Sequence, residues 1–479
     1  MSQNDSRRGF LRTLAAPALP LAAAQPVVYP VPEGEPASAD YRVEIDGRRA
    51  DVWNASVGEP WSTGNYGMGT SYGFVQFDSA GRAQVRIHAP GLDLAQVLVR
   101  PRSLGIRPMV VDRHTILLTV PTRTRLSVHP DGRKKPLLIF ANPPEDKPPQ
   151  RGDAGVLYFG PGVHRPESGV IELKSNQTLY LAGGAVLEAA VYAENAENIV
   201  IRGRGVLSGN RWKWRKGPAP GRLLSFSSCR NVKVEGIVLR GAWSWTLVPR
   251  NCENIDIANI KICNVRVQMN DDGINPCNSR HVRIRDCFVR TVDDCVAIKG
   301  LDYAAGDLDD IWIENSYLWC DSARVTLLGH ESRAKFMQNI VYRNLDIFHH
   351  GEWPVFLLEP SDDMFLRNVR FEDLRIEVAP RTDHRGSLGE HLAVIRPYIT
   401  QYSRTNTWGR IGDVIFRNIQ VEGPGKHMVV VEGAPVHADR RIKRITFDNV
   451  RIRGEKLTAD SMHAALGPWL RPPDEIVFR

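Results

Sequence analysis

Apolar and polar residues alternate with the period of a β-strand through most of the chain after residue 150, and the alternating segments repeat one nine-residue pattern. Each copy alternates, bends near a recurrent Asn or Asp, and resumes alternation. The starts recur every 23 to 45 residues. The copies are Asn231–Leu239, Asn254–Ile262, His281–Val289, Asp310–Leu318, Asn339–Ile347, Asn368–Ile376, Asp413–Val421 and Arg444–Ile452. Such a repeat predicts a solenoid of stacked units.

A third apolar run follows each copy, which gives every repeat three short strands. These runs are Trp245–Val248, Gly273–Pro276, Cys295–Ile298, Arg324–Leu328, Pro354–Leu358, His391–Ile395 and His427–Glu432. Three strands per coil, stacked coil on coil, predict an all-β fold, a right-handed parallel β-helix. A β-propeller is the alternative, but it would need four strands per repeat at a regular spacing of about 40 to 45 residues.

The part of the chain before the repeats has a different pattern. Its short alternating runs are separated by Gly, Pro, Asp and Asn, as in Tyr41–Ile45, Gly73–Phe77, Ala83–Ile87 and Thr115–Val120. This spacing predicts a small antiparallel β-sandwich in front of the β-helix, joined to it by a proline-rich connector. The predicted boundaries are 41–145 for the sandwich, 150–455 for the β-helix and 456–479 for a C-terminal tail.

The N-terminus matches an export signal. Arg7 and Arg8 precede an alanine-rich apolar stretch, and Ala22–Ala24 supplies a cleavage site. The sequence therefore predicts a twin-arginine signal peptide at 1–24 and a linker at 25–40. The protein would then be exported already folded, to the periplasm or beyond. The alternative is a basic tail in which two arginines stand together by chance.

Composition and charge exclude several classes of function. The 479 residues are 42% hydrophobic and 24% charged, which is ordinary for a globular protein. The net charge of +8 is spread along the chain, so we expect no nucleic-acid partner. No apolar run is long enough for a membrane span.

The seven cysteines are confined to one part of the repeat region, between residues 229 and 320, and none has the spacing of a zinc site. Their separations follow the repeat. We therefore expect most of them to be small apolar side chains stacked inside successive coils. A disulfide between Cys295 and Cys320 is the alternative for that pair.

Two acidic pairs lead into consecutive third strands. Asp271-Asp272 and Asp293-Asp294 are one repeat apart, so the coils should stack one pair on the other, with Ser322-Ala323 in the following coil. Adjacent parallel strands are about 4.8 Å apart, and repulsion at that distance should raise the pKa of at least one carboxyl. A protonated carboxyl beside an ionised one supplies the acid and base that cleave a glycosidic bond. Aspartates that only bind turn amides, or a Ca²⁺ site, are the alternatives.

Charged and aromatic residues near these strands predict a surface for sugar rings, which present a polar edge and a CH face. The candidate substrate contacts are Asp271, Lys299, Arg324, His330, Glu331, Arg333 and Trp353. Further residues that could flank the cleft are Lys335, Trp243, Trp245, His349 and His350. Any one of them could instead belong to packing or to a solvated surface.

The segments Asn270–Gly273 and Asp293–Cys295 resemble the N-T-D-G and D-D-C motifs of the polygalacturonases, glycoside hydrolase family 28. The resemblance implies inverting hydrolysis without a metal or other cofactor. It implies Asp293 as the general acid, and Asp272 and Asp294 as the residues that position and deprotonate water. The order of sandwich, connector and β-helix is also similar to the dextranase and isopullulanase family, glycoside hydrolase family 49.

The chain departs from family 28 where that family binds its substrate. A G-H-G follows D-D-C in the family, whereas the matching position here reads Ser322–Arg324, and His330 comes after the strand. The family's R-I-K has no counterpart, and Tyr342–Asn344 stands roughly where it would fall. The resemblance therefore supports the hydrolytic residues and not the recognition of galacturonate.

Together these features predict an exported glycoside hydrolase whose partner is a poly- or oligosaccharide. An α-glucan hydrolase of the dextranase type, rather than a pectic hydrolase, is one alternative. A calcium-dependent β-helix lyase or epimerase and a non-catalytic carbohydrate-binding solenoid are the others.

Overall fold

A computed structural model gives the structure of the chain over most of its length. It describes residues 25–56, 71–130, 135–264, 270–351, 353–377, 391–423, 427–432, 442–460 and 476–479. The predicted signal peptide lies outside the described residues. Within them the regular secondary structure is β-strand, apart from two short 3-10 helices at Arg102–Leu104 and Tyr303–Ala305. Neither of these described helices has the length and apolarity that a membrane crossing requires.

Eleven strands precede the repeats in the described residues. They are β1 (Val27–Val28), β2 (Arg42–Ile45), β3 (Arg48–Ala50), β4 (Trp53–Ser56), β5 (Ser71–Asp78), β6 (Ala83–His88), β7 (Leu98–Arg100), β8 (Met109–Asp112), β9 (Thr115–Val120), β10 (Thr124–His129) and β11 (Leu137–Asn142). They form two sheets, one in the order β3-β2-β6-β9-β8 and one in the order β1-β5-β11-β10-β7, with β4 beside β5. Apolar residues from both sheets share one core.

The sandwich differs from the predicted antiparallel arrangement at one place. Strands β5 and β11 run parallel, with Gly73 opposite Leu137 and Asp78 opposite Asn142. The remaining pairs of the two sheets are antiparallel. Strands β10 and β11 form an antiparallel hairpin, and β11 lies between β10 and β5 in the sheet. The strand next to β5 is therefore not its neighbour in sequence, and it runs in the same direction as β5.

The first coils of the repeat region contain the next sixteen strands. They are β12 (Val156–Phe159), β13 (Gly162–His164), β14 (Val170–Leu173), β15 (Thr178–Leu181), β16 (Ala185–Leu187), β17 (Ala190–Glu194), β18 (Glu197–Gly203), β19 (Val206–Ser208), β20 (Leu224–Ser227), β21 (Arg230–Glu235), β22 (Val238–Arg240), β23 (Leu247–Arg250), β24 (Glu253–Ala258), β25 (Lys261–Cys263), β26 (Arg280–Arg285) and β27 (Phe288–Thr291).

The later coils contain thirteen strands in the described residues. The strands are β28 (Val296–Leu301), β29 (Leu308–Glu314), β30 (Tyr317–Cys320), β31 (Thr326–Arg333), β32 (Phe336–His349), β33 (Phe356–Glu359), β34 (Phe365–Glu377), β35 (His391–Ile395), β36 (Arg410–Glu422), β37 (Met428–Val431), β38 (Ile442–Ile452), β39 (Glu455–Lys456) and β40 (Ile476–Phe478). The last of them, β40, adds to the end of the solenoid beside β38.

The described coils stack as three parallel rows, which confirms the predicted right-handed parallel β-helix. The nine-residue repeats form rows one and two, which share a sheet of twenty strands. Four of the later strands, β32, β34, β36 and β38, are long enough to run through both row one and row two. The third apolar runs form row three. It consists of β14-β17-β20-β23 and then β28-β31-β33-β35-β37, and isolated bridges at Ile274 and Cys277 join these two parts.

The recurrent Asn and Asp residues mark left-handed backbone positions, which these side chains tolerate better than most. The first residue of a repeat is left-handed, as at Asn254 (φ 59°) and Asn339 (φ 57°). The bend within the repeat is left-handed too, as at Asn315 (φ 52°) and Asn344 (φ 51°). Asparagines in neighbouring coils also bond to each other, and Asn344 donates to Asn315 across 2.7 Å. The bends therefore fall where the sequence predicted them.

The interior of the solenoid is a continuous apolar core that includes stacked rings. The ring centroids of Phe371 and Phe416 are 4.8 Å apart, and those of Phe416 and Phe447 are 5.2 Å apart. All seven cysteines lie in the described ranges, are buried and are free thiols. This confirms the prediction that they are small side chains stacked within the coils.

One of the two N-terminal sheets, the one that contains β4, β5 and β11, packs directly on row two of the β-helix. Trp53, Phe74 and Phe140 from the sandwich form one cluster with Phe288 and Trp319 from the coils. The interface also contains His349, whose ring centroid lies 4.3 Å from that of Trp319. His349 and His350 are buried (1% and 6% exposed), so these two histidines do not flank a surface cleft as the sequence suggested.

Candidate active site

Row three brings the two acidic pairs together. The positions paired across three successive coils are Ile274, Val296 and Thr326. Two residues earlier in each coil lie Asp272, Asp294 and Arg324. The predicted stacking of the two acidic pairs is therefore confirmed.

The coil after the acidic pairs is one residue out of the predicted register. Ala323 and Arg324 take the places expected for Ser322 and Ala323. The amides of Ser322 and Ala323 both donate to the carbonyl of Val292, over 3.0 and 2.9 Å, so the turn accommodates an additional residue before the strand begins. The shift brings a guanidinium group into the acidic cluster.

Gly273 allows the two acidic coils to approach closely. A Cβ atom at this position would lie 2.5 Å from the carbonyl oxygen of Cys295 and 2.6 Å from Cγ1 of Val289, which is closer than such atoms can pack. Any other residue here would displace Asp272 from Asp294. The glycine therefore belongs to the construction of the site.

Asp271 lies beneath the cluster and supports the turn that carries the other pair. Its Oδ1 accepts hydrogen bonds from the backbone amides of Val292 (3.1 Å) and Asp293 (2.8 Å). Burial raises the pKa of Asp271 well above its usual range, although these amide bonds oppose the effect. With 1% of its surface exposed, Asp271 supports the turn and does not occupy the surface position expected of a substrate contact.

Asp293 is the most accessible of the clustered carboxyls, with 15% of its side chain exposed. Its Oδ2 accepts a hydrogen bond from the amide of Asn270 at 2.8 Å. Burial, followed by the charges of Asp272 and Asp294, raises the pKa of Asp293 to about 7, while Arg324 opposes the rise. A carboxyl in this state can donate a proton near neutral pH.

Asp294 is held in the ionised form. The Nη2 of Arg324 donates to its Oδ2 at 2.7 Å, and the amide of Arg324 donates to its Oδ1 at 3.0 Å. Burial alone would raise the pKa of Asp294, but the charge and the hydrogen bonds of Arg324 outweigh burial and lower it. Adjacent aspartates in the chain therefore have opposite pKa shifts.

Asp272 is bound by a buried lysine and an amide. The Nζ of Lys299 donates to its Oδ2 at 3.2 Å, and the Nδ2 of Asn275 donates to the same oxygen at 2.7 Å. Burial raises the pKa of Asp272, although Lys299 opposes it. Lys299 also lies 3.7 Å from Glu331 and 4.0 Å from the centre of the Trp245 ring. Its charge is therefore shared between two protein carboxylates.

Two arginines beside the cluster were not predicted from the sequence. Both lie in Gly209–Arg222, a segment without alternation. The guanidinium of Arg222 stacks over Trp245 at 4.4 Å, and Nη2 of Arg215 donates to Oδ1 of Asn270 at 2.7 Å. Only the length of this insertion between two short strands marked it in advance.

The other predicted contacts lie around the cluster in different settings. His330 is hydrogen-bonded to Glu359 at 2.8 Å. Trp353 is 40% exposed, and its ring centre lies 5.4 Å from the guanidinium carbon of Arg324. Arg333 donates from Nε to a backbone carbonyl of the preceding coil at 2.7 Å, so it holds a loop. Trp353 and His330 thus remain placed for a ligand, while Arg333 supports the backbone.

One further residue falls outside the surface that the sequence predicted. Trp243 is buried (1% exposed) and packs 4.8 Å from the ring centre of Trp212. Tyr342–Asn344 belongs to row one, in the first half of β32. In row three the coil after Arg324 has Trp353 and Pro354 before β33 begins. An aromatic ring therefore follows the acidic cluster in the next coil.

The sequence of this region matches a known family of enzymes. Residues 168–319, which include the acidic cluster, match the family model described as Glycosyl hydrolases family 28. The resemblance to family 28 is confirmed. The polygalacturonase QRT2 of Arabidopsis thaliana is 31% identical over 116 residues, which cover 22% of this chain and 26% of that protein. The matched part spans about a quarter of the first family 28 relatives.

The second predicted resemblance, to the dextranase and isopullulanase family, is also confirmed. The isopullulanase of Aspergillus niger is 30% identical over 165 residues, 26% of this chain and 29% of that protein. Among solved structures, Dex49A from Penicillium minioluteum has a TM-score of 0.60 at 15% identity and covers 91% of this chain and 92% of its own. The family 28 exopolygalacturonase of Yersinia enterocolitica has a TM-score of 0.51 at 14% identity and covers 95% of each chain. At these identities the two structures establish the fold.

Proposed function

We propose that this chain is a glycoside hydrolase that cleaves a poly- or oligosaccharide with inversion at the anomeric carbon. The observation that carries the proposal is the divergence of pKa within one cluster, where that of Asp293 is raised and that of Asp294 is lowered. Environments that separate neighbouring carboxyls in this way distinguish the acid from the base. The match to family 28 over the same segment supports it.

The proposed chemistry uses the side chains already described. Asp293 gives its proton to the glycosidic oxygen as the bond to the anomeric carbon breaks. Asp294 and Asp272 hold a water on the opposite face, and one of them takes its proton as the water oxygen bonds to that carbon. Lys299 and Arg324 keep these two carboxyls in place. Inversion itself rests on the family resemblance.

The test is a reducing-sugar screen of pectic, α-glucan and other plant and microbial polysaccharides, run with the parent and Asp293→Asn. We expect the substitution to lower kcat about 10²- to 10⁴-fold, because it removes the proton donor and leaves the shape intact. Asp153→Asn, at an exposed aspartate in the first coil, is the matched control. Equal rates for Asp293→Asn and the parent would refute the assignment of the acid.

An α-glucan is the second candidate substrate, favoured by the 30% identity over 165 residues to the isopullulanase of Aspergillus niger and by the lack of the R-I-K of family 28 in this sequence. The calcium-dependent lyase has less support, because Lys299 and Arg324 already compensate the carboxylates that a divalent cation would need. In the described residues no group of three or more His, Cys, Asp or Glu side chains is arranged for a metal. A lyase would release an unsaturated product that absorbs in the ultraviolet and would stop in chelator.

Export is a separate part of the proposal. We propose that residues 1–24 direct the folded chain through the twin-arginine pathway to the periplasm or beyond, as the paired arginines suggest. Replacement of Arg7 and Arg8 by lysines should retain the protein in the cytoplasm of a bacterial host. Cell fractionation of the parent and the double variant distinguishes this from a basic tail without a targeting role.

A further inference from the structure

A second group of polar and aromatic side chains lies towards the C-terminal ends of β31, β33 and β35, whereas the acidic cluster and Trp353 precede the row-three strands. Its centre is Glu359, which is 3% exposed and contacts two side chains at once. His330 binds its Oε2 at 2.8 Å, and Arg396 binds its Oε1 with Nη2 at 2.6 Å. Burial opposes the ionisation of Glu359, but the hydrogen bond from His330 and the charge of Arg396 lower its pKa. One buried carboxylate thus fixes both partners.

Each partner of Glu359 supports an exposed tyrosine ring. The ring of His330 is stacked with that of Tyr402, with centroids 5.7 Å apart and planes 22° apart. The guanidinium of Arg396 lies over the ring of Tyr398 at 4.2 Å. The tyrosines themselves are 44% and 41% exposed. The arrangement holds two flat faces towards solvent, beside the polar atoms of His330 and Arg396.

The loop that carries Tyr402 is fixed by its own contacts. Oδ1 of Asp362 accepts hydrogen bonds from the backbone amides of Arg404 (2.8 Å) and Thr405 (2.7 Å). The hydroxyl of Ser403 lies 2.8 Å from that of Ser361. The tyrosine is therefore held before any ligand arrives, which lowers the entropic cost of binding.

This group is continuous with the acidic cluster. His330 precedes Glu331 in β31, and Glu331 lies 3.7 Å from Lys299, the lysine that binds Asp272. The backbone of His330 is left-handed (φ 59°), a conformation few residues adopt. It directs consecutive side chains to different partners, one to Glu359 and the next to Lys299.

The charge of this group disfavours an acidic sugar. Arg396 has Glu359 within 2.6 Å on one side and Glu432 within 3.5 Å on the other. Glu331 adds a further carboxylate, and Lys299 beside it already serves the cluster. A uronate carboxylate would meet like charge here. The hydroxyl groups of an uncharged sugar would instead find donors and acceptors, with ring faces to stack on.

We infer that Tyr398 and Tyr402, with His330 and Arg396 behind them, form a distal subsite for an uncharged sugar unit of the substrate. The inference rests on the proposed hydrolase function and specifies which sugar that function accepts at this end of the cleft. The substrate would extend along the direction of the row-three strands, from the acidic cluster before their first residues to the two tyrosines beyond their last.

The test measures binding, so that it does not depend on turnover. Full-length Asp293→Asn protein is titrated calorimetrically with α-glucan, xylan, arabinan and galactan oligosaccharides and with oligogalacturonides of matching length. We expect a neutral series to bind more tightly as it lengthens, and Tyr402→Ala to weaken its longer members about tenfold. Tyr402→Phe keeps the ring and should stay within about twofold. Tyr158→Ala, on row one, is the matched control.

Three results would overturn the subsite. They are unchanged affinity when Tyr398→Ala and Tyr402→Ala are each added to Asp293→Asn, preferential binding of oligogalacturonides, and no binding of either series by the Asp293→Asn protein itself. Thermal unfolding confirms that the alanine variants are folded. If Tyr402→Ala weakens binding while Asp293→Asn retains full turnover, the subsite stands and the catalytic assignment fails. The two proposals are thus distinguished.

Discussion

Three aspartates in adjacent positions of one cluster have three different surroundings. Asp293 has two carboxylates near it, and its pKa is raised to about 7. Asp294 accepts hydrogen bonds from the guanidinium and the backbone amide of Arg324, and these lower its pKa. Asp272 has the ammonium group of Lys299. The pKa of each carboxyl, and with it the proposed role as acid or base, therefore depends on which cation the carboxyl contacts.

The pH profile should report this division. With Asp293 as the proposed general acid, we expect kcat/KM to fall as pH rises through about 7, where its proton is lost. Arg324 opposes the rise in the pKa of Asp293 and lowers that of Asp294, so Arg324→Gln raises both. The descending limb should then move to higher pH, with a lower maximum. Arg324→Lys keeps the charge and should leave the limb nearer its original place; an unmoved limb in Arg324→Gln would contradict the argument.

Asp271 offers a test of support without contact. Asp271→Asn keeps the size and one accepting oxygen, but it puts an NH2 donor in place of Oδ2, which lies 3.3 Å from the amide nitrogen of Val292. We expect the free energy of unfolding to fall by about 1–3 kcal/mol and kcat to fall with it. Asp307→Asn is matched, because Asp307 also accepts from two backbone amides but lies outside the cluster. Denaturant titration and kinetics should show lost stability in both and lost kcat only in Asp271→Asn.

At the scale of elements, the sequence predicted the parts that depend on local pattern. Alternation predicted the strands, and the recurrent asparagines predicted the bends, because a left-handed backbone favours that side chain. The start of β31 was misplaced by one residue, since two amides sharing the carbonyl of Val292 lengthen the turn. The parallel pairing of β5 with β11 and the burial of His349 depend on contacts between distant segments, which periodicity does not encode.

The asparagine positions can be tested one coil at a time. Asn254 is left-handed and donates to Asn231 at 3.2 Å. Asn254→Gly removes the Cβ and so relieves the left-handed backbone while it loses that bond, whereas Asn254→Ala loses the bond and keeps a Cβ there without the polar group that makes asparagine tolerant of this conformation. We expect the alanine variant to be less stable than the glycine variant by about 1 kcal/mol in thermal or denaturant unfolding. Equal stability of the two variants would mean that asparagine is needed here for its hydrogen bond to Asn231 and not for the left-handed backbone.

At the scale of the molecule, the sandwich and the β-helix share buried polar contacts as well as apolar ones. Nε of Arg204, at the turn between β18 and β19, bonds to Oδ1 of Asp78 from β5 at 2.7 Å, and both side chains are almost fully buried. The Nζ of Lys261 donates to Oδ1 of Asn142 at 2.5 Å. Such groups are costly to bury unless they are paired, so separation of the two parts would expose or orphan them.

This interface predicts cooperative unfolding of the whole described structure. Asp78→Asn removes one partner of a buried ion pair and leaves Arg204 uncompensated, which should cost about 3–5 kcal/mol. The loss should appear in one transition, with tryptophan fluorescence and far-ultraviolet circular dichroism coinciding, because neither part keeps its shared core alone. Arg204→Met combined with Asp78→Asn should recover part of the loss. Two separate transitions in the parent, with only the first shifted by Asp78→Asn, would instead show that the sandwich unfolds independently of the β-helix.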